Sequence, residues 1–224
     1  MKYVILIGMV AFGNTLSAQV SGNRSCQGLP AAVNNVPMVA TTYINEFPSK
    51  KEQFYNNWTK GTIYFTNGYK APDCMIRYNG WKDELIWLRE TDYKTGTVIK
   101  GKVASFTFDN TMQREALRFI HYIDTGGFQK TDIYLEVIAE GKTSVYCYRK
   151  ATLLKGENKF VTKYQYYLKQ NRELHKFTPG KRNLLAFFPK EKHKAIKDIL
   201  RVNHLKLKND EQLAEAIKLI NGLE

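Results

Sequence analysis

The chain has little cysteine, little histidine and no apolar run long enough to cross a bilayer, and each shortage removes a class of function. Its 3 cysteines allow one disulfide and one thiol left over. Cys74 and Cys147 fall in expected strands and Cys26 in a tail-like stretch, so Cys74 to Cys147 is the favoured bridge, with unpaired thiols as the alternative. The 4 histidines, His121, His175, His193 and His204, lack His-x-His or His-x-x-x-His spacing and a neighbouring cluster of Cys or carboxylates. A zinc site needs three or four ligands converging on one point, so neither a metal nor a cofactor is expected. No Gly-x-Ser-x-Gly, Gly-x-Gly-x-x-Gly or Walker pattern occurs, so the usual nucleophile elbow and phosphate loops are missing. Asp124-Thr125-Gly126 matches the aspartic-protease tripeptide, but a β-turn accounts for three residues equally well. The expectation is a protein that is not an enzyme, with a hydrolase of unrecognised site as the distant alternative.

What is present is a globular composition. With 224 residues, 43% hydrophobic and 25% charged, the chain can bury one sizeable core. An aromatic share of 13%, including 14 Tyr and 12 Phe, favours strands, where flat rings cover a pleated surface. Met1 to Ala18 reads as a secretory signal: Lys2, an apolar run from Tyr3 to Phe12, then Leu16-Ser17-Ala18 ahead of Gln19. Cleavage after Ala18 would leave a soluble exported protein, periplasmic or extracellular, that is not an integral membrane protein. Residues 19–48 read as a tail or strap. Ser49 is a candidate N-cap for a short helix carrying Phe54, Tyr55 and Trp58 on one side.

From residue 49 to 180 the reading is an antiparallel β domain, a meandering sheet, sandwich or partly closed barrel. Expected strands are Thr62 to Thr66, Met75 to Tyr78, Glu84 to Glu90, Thr97 to Ile99, Lys102 to Asp109, one from Arg118, Asp132 to Ala139, Thr143 to Lys150 and Phe160 to Leu168. A two-residue type II′ turn opened by Gly141 would pair Val137 with Tyr146, Leu135 with Tyr148 and Ile133 with Lys150. The opposite face would then hold Ile138 beside Val145, Glu136 beside Cys147, and Arg149 diagonal to Glu136 within ion-pair reach. Residues 181–224 read as a helical pair packed on the sheet. Lys190 to Val202 places Ala195, Ile196, Ile199 and Leu200 on one face, and Asn209 with Gln212 reads as a capping box before Leu213, Ala216, Ile217 and Ile220.

This order of features resembles a family of exported envelope proteins of Bacteroidota. The residues that carry the likeness are Gly61-Thr62-Ile63-Tyr64-Phe65, Tyr78-Asn79, Val103-Ala104-Ser105-Phe106, Gly127-Phe128, Glu140-Gly141 with Val145-Tyr146, Tyr166-Tyr167, and Leu184-Leu185 with Phe188-Pro189. The resemblance implies a location in the envelope and brings no catalytic residue with it.

The formal charge of +13 is concentrated in one segment. Gln19 to Glu140 holds 14 Lys+Arg against 13 Asp+Glu, whereas Gly141 to Lys208 holds 18 against 4. Outside the cytoplasm nucleic acid is not the expected partner; the available polyanions are anionic lipid headgroups and acidic glycans, with an envelope protein as a further partner class. Within the basic segment, Tyr146, Tyr148, Tyr164 and Tyr166 lie among Lys142, Arg149, Lys150, Lys163, Lys169 and Arg172. Aromatic faces interleaved with cations can stack a sugar ring and pair with a phosphate or carboxylate. The expectation is a non-catalytic protein that binds through this face, and the alternative is a barrel-like carrier of a small apolar ligand.

Overall fold

Alternating aromatic and β-branched residues separated by tight turns give strands that each find their partner next in sequence, and one large antiparallel sheet is the result. The computed structural model describes residues 32–33, 36–37, 39–42, 53–109, 116–124, 131–157, 159–170 and 173–223. The signal-like segment, Cys26, Ser49, Gly126-Gly127 and Arg172 lie outside these. A small ribbon pairs β1 (Ala32–Val33) with β2 (Val36–Pro37). The main sheet holds β3 (Val39–Thr42), β4 (Thr59–Phe65), β5 (Lys70–Asn79), β6 (Glu84–Arg89), β7 (Lys94–Val98), β8 (Val103–Phe108), β9 (Leu117–Asp124), β10 (Thr131–Ala139), β11 (Ser144–Leu154), β12 (Lys159–Gln170) and β13 (Glu173–Phe177). Its order is β13-β12-β11-β10-β9-β8-β4-β5-β6-β7-β3, 11 strands with two free edges, so it does not close into a barrel. Three helices follow, α1 (Lys181–Leu185), α2 (His193–Val202) and α3 (Asp210–Asn221).

Several expectations change at the level of side chains. Phe54 forms a bridge with Asn79, the Tyr55 N–H donates to the Tyr78 carbonyl and residues 55–58 are bends, so no helix carries Phe54, Tyr55 and Trp58 on one side. β13 carries only Leu174 and Phe177 as shielded apolar residues, which hides it among helix-compatible polar ones. Ala195 is exposed; Ile196 and Leu200 are the residues α2 buries. The Asn209 side chain accepts from Gln212 N (3.0 Å) as a cap should, but the Gln212 carboxamide turns to the backbone N–H groups of Lys206 and Lys208 instead of completing the box. Cys74 and Cys147 are buried thiols, not bridged to each other, on β5 and β11, which have four strands between them in the sheet, so the expected bridge does not form.

Two cores lie on one side of this sheet. The first gathers Ile63, Ile76, Tyr78, Phe106, Phe119 and Tyr134, with Phe106 stacked on Phe119 at 4.9 Å and Tyr134 edge-on to Phe106 at 5.1 Å. The second seats Leu184, Ile196, Leu213, Ile217 and Ile220 of the helices against Val145 and Leu168. The sheet curls between them until the β5–β6 turn reaches β11. Asn79 shapes that turn by accepting the N–H groups of Trp81 and Lys82, and Trp81 lies edge-on to Phe160 of β12 at 5.3 Å.

The curl explains the hairpin register. Val137 faces Tyr146 and Glu136 faces Cys147 as read from the sequence, but a bulge then sets Ala139, not Ile138, against Val145. The expected Leu135–Tyr148 and Ile133–Lys150 pairs are missing, because β10 and β11 fork below Glu136 and the β5–β6 turn enters the fork. Ala151 N–H donates to the Gly80 carbonyl at 3.0 Å, and a Cβ on Gly80 would stand 2.5 Å from the Arg149 carbonyl oxygen. On the other prong the Asp83 carboxylate accepts the Tyr134 N–H at 3.3 Å. Gly141 does not take positive φ; its missing Cβ makes room for the Asn221 carboxamide, which donates to the Thr143 carbonyl and accepts the Thr143 N–H, both at 2.9 Å.

Candidate anion-binding face

Registry sorts the basic, aromatic segment into two faces. β11 and β12 pair without interruption from Ser144↔Lys169 to Leu154↔Lys159. In an antiparallel pair, residues directly opposite point to the same side. Lys150 with Lys163, Tyr148 with Gln165, Tyr146 with Tyr167, and Ser144 with Lys169 therefore share one face, joined by Lys176 of β13 opposite Tyr167. The other face carries Val145 with Leu168, Cys147 with Tyr166, and Arg149 with Tyr164. The helices α1 to α3 pack on this second face, and among the described residues the first carries no helix.

Of the residues singled out in the sequence, the helix-free face gathers Tyr146, Tyr148, Lys150, Lys163 and Lys169. Lys150, Lys163, Lys169 and Lys176 are exposed, and none has an ion-pair partner among the described residues. Tyr148 and Tyr167 are half-buried between them, and Tyr146, opposite Tyr167, is buried. Half-buried Val137 continues the apolar strip across β10, where Leu135 is fully buried, and half-buried Ile120 and Tyr122 continue it across β9. Burial pushes the phenols of Tyr146, Tyr148 and Tyr167 up, so these rings stay neutral and act as apolar surfaces. Lys150 directly opposite Lys163 is a like-charge pair, an arrangement that destabilises a ladder unless something anionic lies across it.

Arg149 and Tyr166 belong elsewhere. Arg149 is 5% exposed, its Nε donating to Glu136 at 2.6 Å and its Nη2 to Asp210 at 2.5 Å. Tyr166 OH donates to the second Asp210 oxygen at 2.9 Å. Asp210 opens α3, so this buried cluster fastens the helix to the sheet. Burial opposes the Arg149 charge, but the hydrogen bond and charge of Glu136 outweigh it and raise its pKa. The guanidinium is committed and offers nothing to a ligand. Tyr164 is 58% exposed on this same side, with Arg149 over its ring at 4.9 Å. Lys142 is exposed in the hairpin loop, between the faces.

A second polar cluster fills the fork, and no local pattern announced it. Asp83, 7% exposed, accepts from Tyr78 OH and Lys100 Nζ, each at 2.5 Å. Lys100 also donates to the Asp132 carbonyl at 2.7 Å, and Asp132 Oδ1 meets His121 Nε2 at 2.8 Å. This histidine and carboxylate are within hydrogen-bond reach, as an acid–base pair would be. The other ring nitrogen, Nδ1, is taken by the Val103 carbonyl at 2.9 Å, so neither nitrogen is left to move a substrate proton. Asp124 ends β9 at the surface, and Thr125-Gly126 lie outside the described residues. Among the described residues no group of three or more His, Cys, Asp or Glu is placed to hold a metal ion, and no helix is long and apolar enough to cross a membrane. The Cys147 thiol is pushed up to about 12 by burial, outside the range of a reactive thiolate.

Compared with protein-family models, with curated proteins and with solved structures, the chain shows no match to any of them.

Proposed function

We propose that this is a non-catalytic exported protein that holds an anionic envelope component against the helix-free face of β11, β12 and β13. The observation that carries the reading is the unpaired Lys150–Lys163 couple, set beside Tyr148 and Tyr167 and followed by Lys169 and Lys176 on one surface. Along a strand, Lys163 and Lys169 stand about 20 Å apart at roughly 3.4 Å per residue. That span suits an extended or repeating anion better than a small one. Lysine ends supply charge, and the half-buried rings of Tyr148 and Tyr167 supply flat contact for a sugar ring or an acyl segment. The filled ring cluster of Phe106, Phe119, Tyr78 and Tyr134 gives no support to the carrier alternative.

The test is binding of residues 19–224 to anionic and neutral lipid vesicles and to acidic and neutral glycans, at low and high salt. Binding confined to an anionic arm, weakened by salt and lost in Lys150→Glu/Lys163→Glu, is the expected result. The vesicle and glycan arms identify which anion is recognised. Absence of binding at low salt, or binding unchanged in the double variant, removes the reading.

A further inference from the structure

On the opposite side of the sheet, the seam between α1 and α2 opens as a groove of about 520 Å³ lined by Lys181, Arg182, Leu185, Ala186, His193 and Lys197. Its floor is apolar: Leu185 is 8% exposed and part of the helical core, and the exposed Ala186 methyl lies beside it. Its rim is cationic and holds no carboxylate. Asp198, the acidic residue next to Lys197 on α2, is engaged by Arg201 at 3.0 Å. Lys181, Arg182 and Lys197 are exposed and have no ion-pair partner among the described residues. His193 Nε2 meets the Phe188 carbonyl at 2.8 Å. A carbonyl only accepts, so this nitrogen carries the proton and Nδ1 is the ring atom left over.

We propose that this groove is a second binding site, for a single-chain alkyl phosphate or a related phosphomonoester amphiphile. Two ammonium groups and a guanidinium on one rim repel one another, and a dianionic head relieves that repulsion more fully than a monoanion does. The planar fork of Arg182 matches phosphate oxygens in pairs. A bare phosphate would leave most of the volume empty. The size falls in the range of about 300–1,000 Å³ common for small-molecule pockets, so head and proximal carbons fit together, with the carbons on Leu185 and Ala186. The site is independent of the sheet face, which uses other residues on the other side.

The test titrates octyl phosphate, below its micelle concentration, into the protein by calorimetry. Inorganic phosphate, octyl glucoside and phosphatidic-acid vesicles serve as comparisons. The expected result is saturable 1:1 binding, about tenfold or more tighter than either inorganic phosphate or octyl glucoside, a ratio that corresponds to about 1.4 kcal/mol. Arg182→Glu and Lys197→Glu should each weaken it by about tenfold or more, as loss of a charge-assisted hydrogen bond does. Ala186→Trp, at an exposed position, should fill the groove and abolish binding while circular dichroism stays unchanged. Lys150→Glu/Lys163→Glu should leave it intact, so the two sites fail separately. Equal affinity for inorganic phosphate or octyl glucoside overturns the proposal. So does indifference to Ala186→Trp, loss of binding in the sheet-face variant, or binding to the vesicles alone.

Discussion

Lys150 stands directly across the β11–β12 ladder from Lys163, both side chains exposed on the face opposite the helices. Like charges in that relation cost stability, so removing the conflict should strengthen the fold while emptying the site. Lys163→Glu converts the couple to an opposite-charge pair, and the gain expected is about 0.2–1 kcal/mol in urea unfolding. Binding to the anionic partner should fall in the same variant. Loss of binding with raised stability separates a functional face from a structural one, because a purely structural lysine would not give this opposed pair of effects.

The fork between β10 and β11 depends on one carboxylate. Asp83 receives the Tyr78 hydroxyl, the Lys100 ammonium and the Tyr134 N–H, with its own side chain 9% exposed. Asp83→Ala leaves a buried hydroxyl and an amide unsatisfied and strips Lys100 of its nearest counter-charge. A loss of about 3–5 kcal/mol is expected, the range for breaking a buried pair by removing one partner. Thermal and urea unfolding would measure it, and a loss under 1 kcal/mol would mean that the turn is held in the fork by Trp81 and the Gly80 backbone alone.

The positions of β4 to β12 were legible in the sequence because each alternates side chains over a short run between turn residues, whereas β13 and the short β1 to β3 were not. The apolar stripe of α3, Leu213, Ala216, Ile217 and Ile220, is buried as its spacing requires. The fork was not legible. Leu135 and Tyr148 form a proper hairpin pair by every local rule, and what displaces the pairing is a turn more than fifty residues earlier, brought in by the curl of the sheet. The same limit governed Arg149: the diagonal to Glu136 could be read from the hairpin, but the Asp210 contact needs α3 folded back onto the sheet. So the guanidinium looked like a surface cation. The helix-free cluster was partly legible, since alternate residues of a strand share a face and already set Arg149 on the other face from Tyr146 and Tyr148, but only the β11–β12 register placed Tyr164 and Tyr166 on the Arg149 side.

Asp132 gives the fork a sensitivity to acid. Burial works to raise its carboxyl, but the His121 hydrogen bond and the Lys100 charge outweigh this and hold its pKa below the ordinary 3.8. A folded pKa below the unfolded one means that the stabilisation is complete above the unfolded value and is lost as pH falls through the folded value. Stability should therefore drop below about pH 4 more steeply in the native protein than in Asp132→Asn. The Asp132 side chain is 40% exposed, so added salt should shrink the difference between the two curves. Superimposable acid limbs would show that the His121 and Lys100 contacts do not outlast solvation.

Arg149 should be the most costly single cation to lose, even though it lies off the proposed binding face. Arg149→Met strands Glu136, 4% exposed, without a counter-charge, and should cost about 3–5 kcal/mol. Adding Glu136→Leu should return much of that loss, since a well-packed apolar pair can replace a buried ion pair. Differential scanning calorimetry of the two variants decides it. A double variant no more stable than the single one would mean that Asp210 and Tyr166, left without their guanidinium, set the cost instead.

The far end of α3 is tied to the sheet through Gly141 and Asn221, and the tie can be dissected because one residue supplies space and the other fills it. Any side chain at Gly141 collides with the Asn221 carboxamide, which is held in place by its two bonds to Thr143. Gly141→Ala should cost about 1–3 kcal/mol, the usual penalty of overpacking. Asn221→Ala should cost about 1–3 kcal/mol through the Thr143 groups it abandons. The two losses should not add: without the carboxamide the new methyl meets no obstacle, so the double variant should be more stable than the sum predicts by about 0.5–3 kcal/mol. Strict additivity in urea unfolding would show that Gly141 is required by the hairpin backbone itself and not by the helix that docks on it.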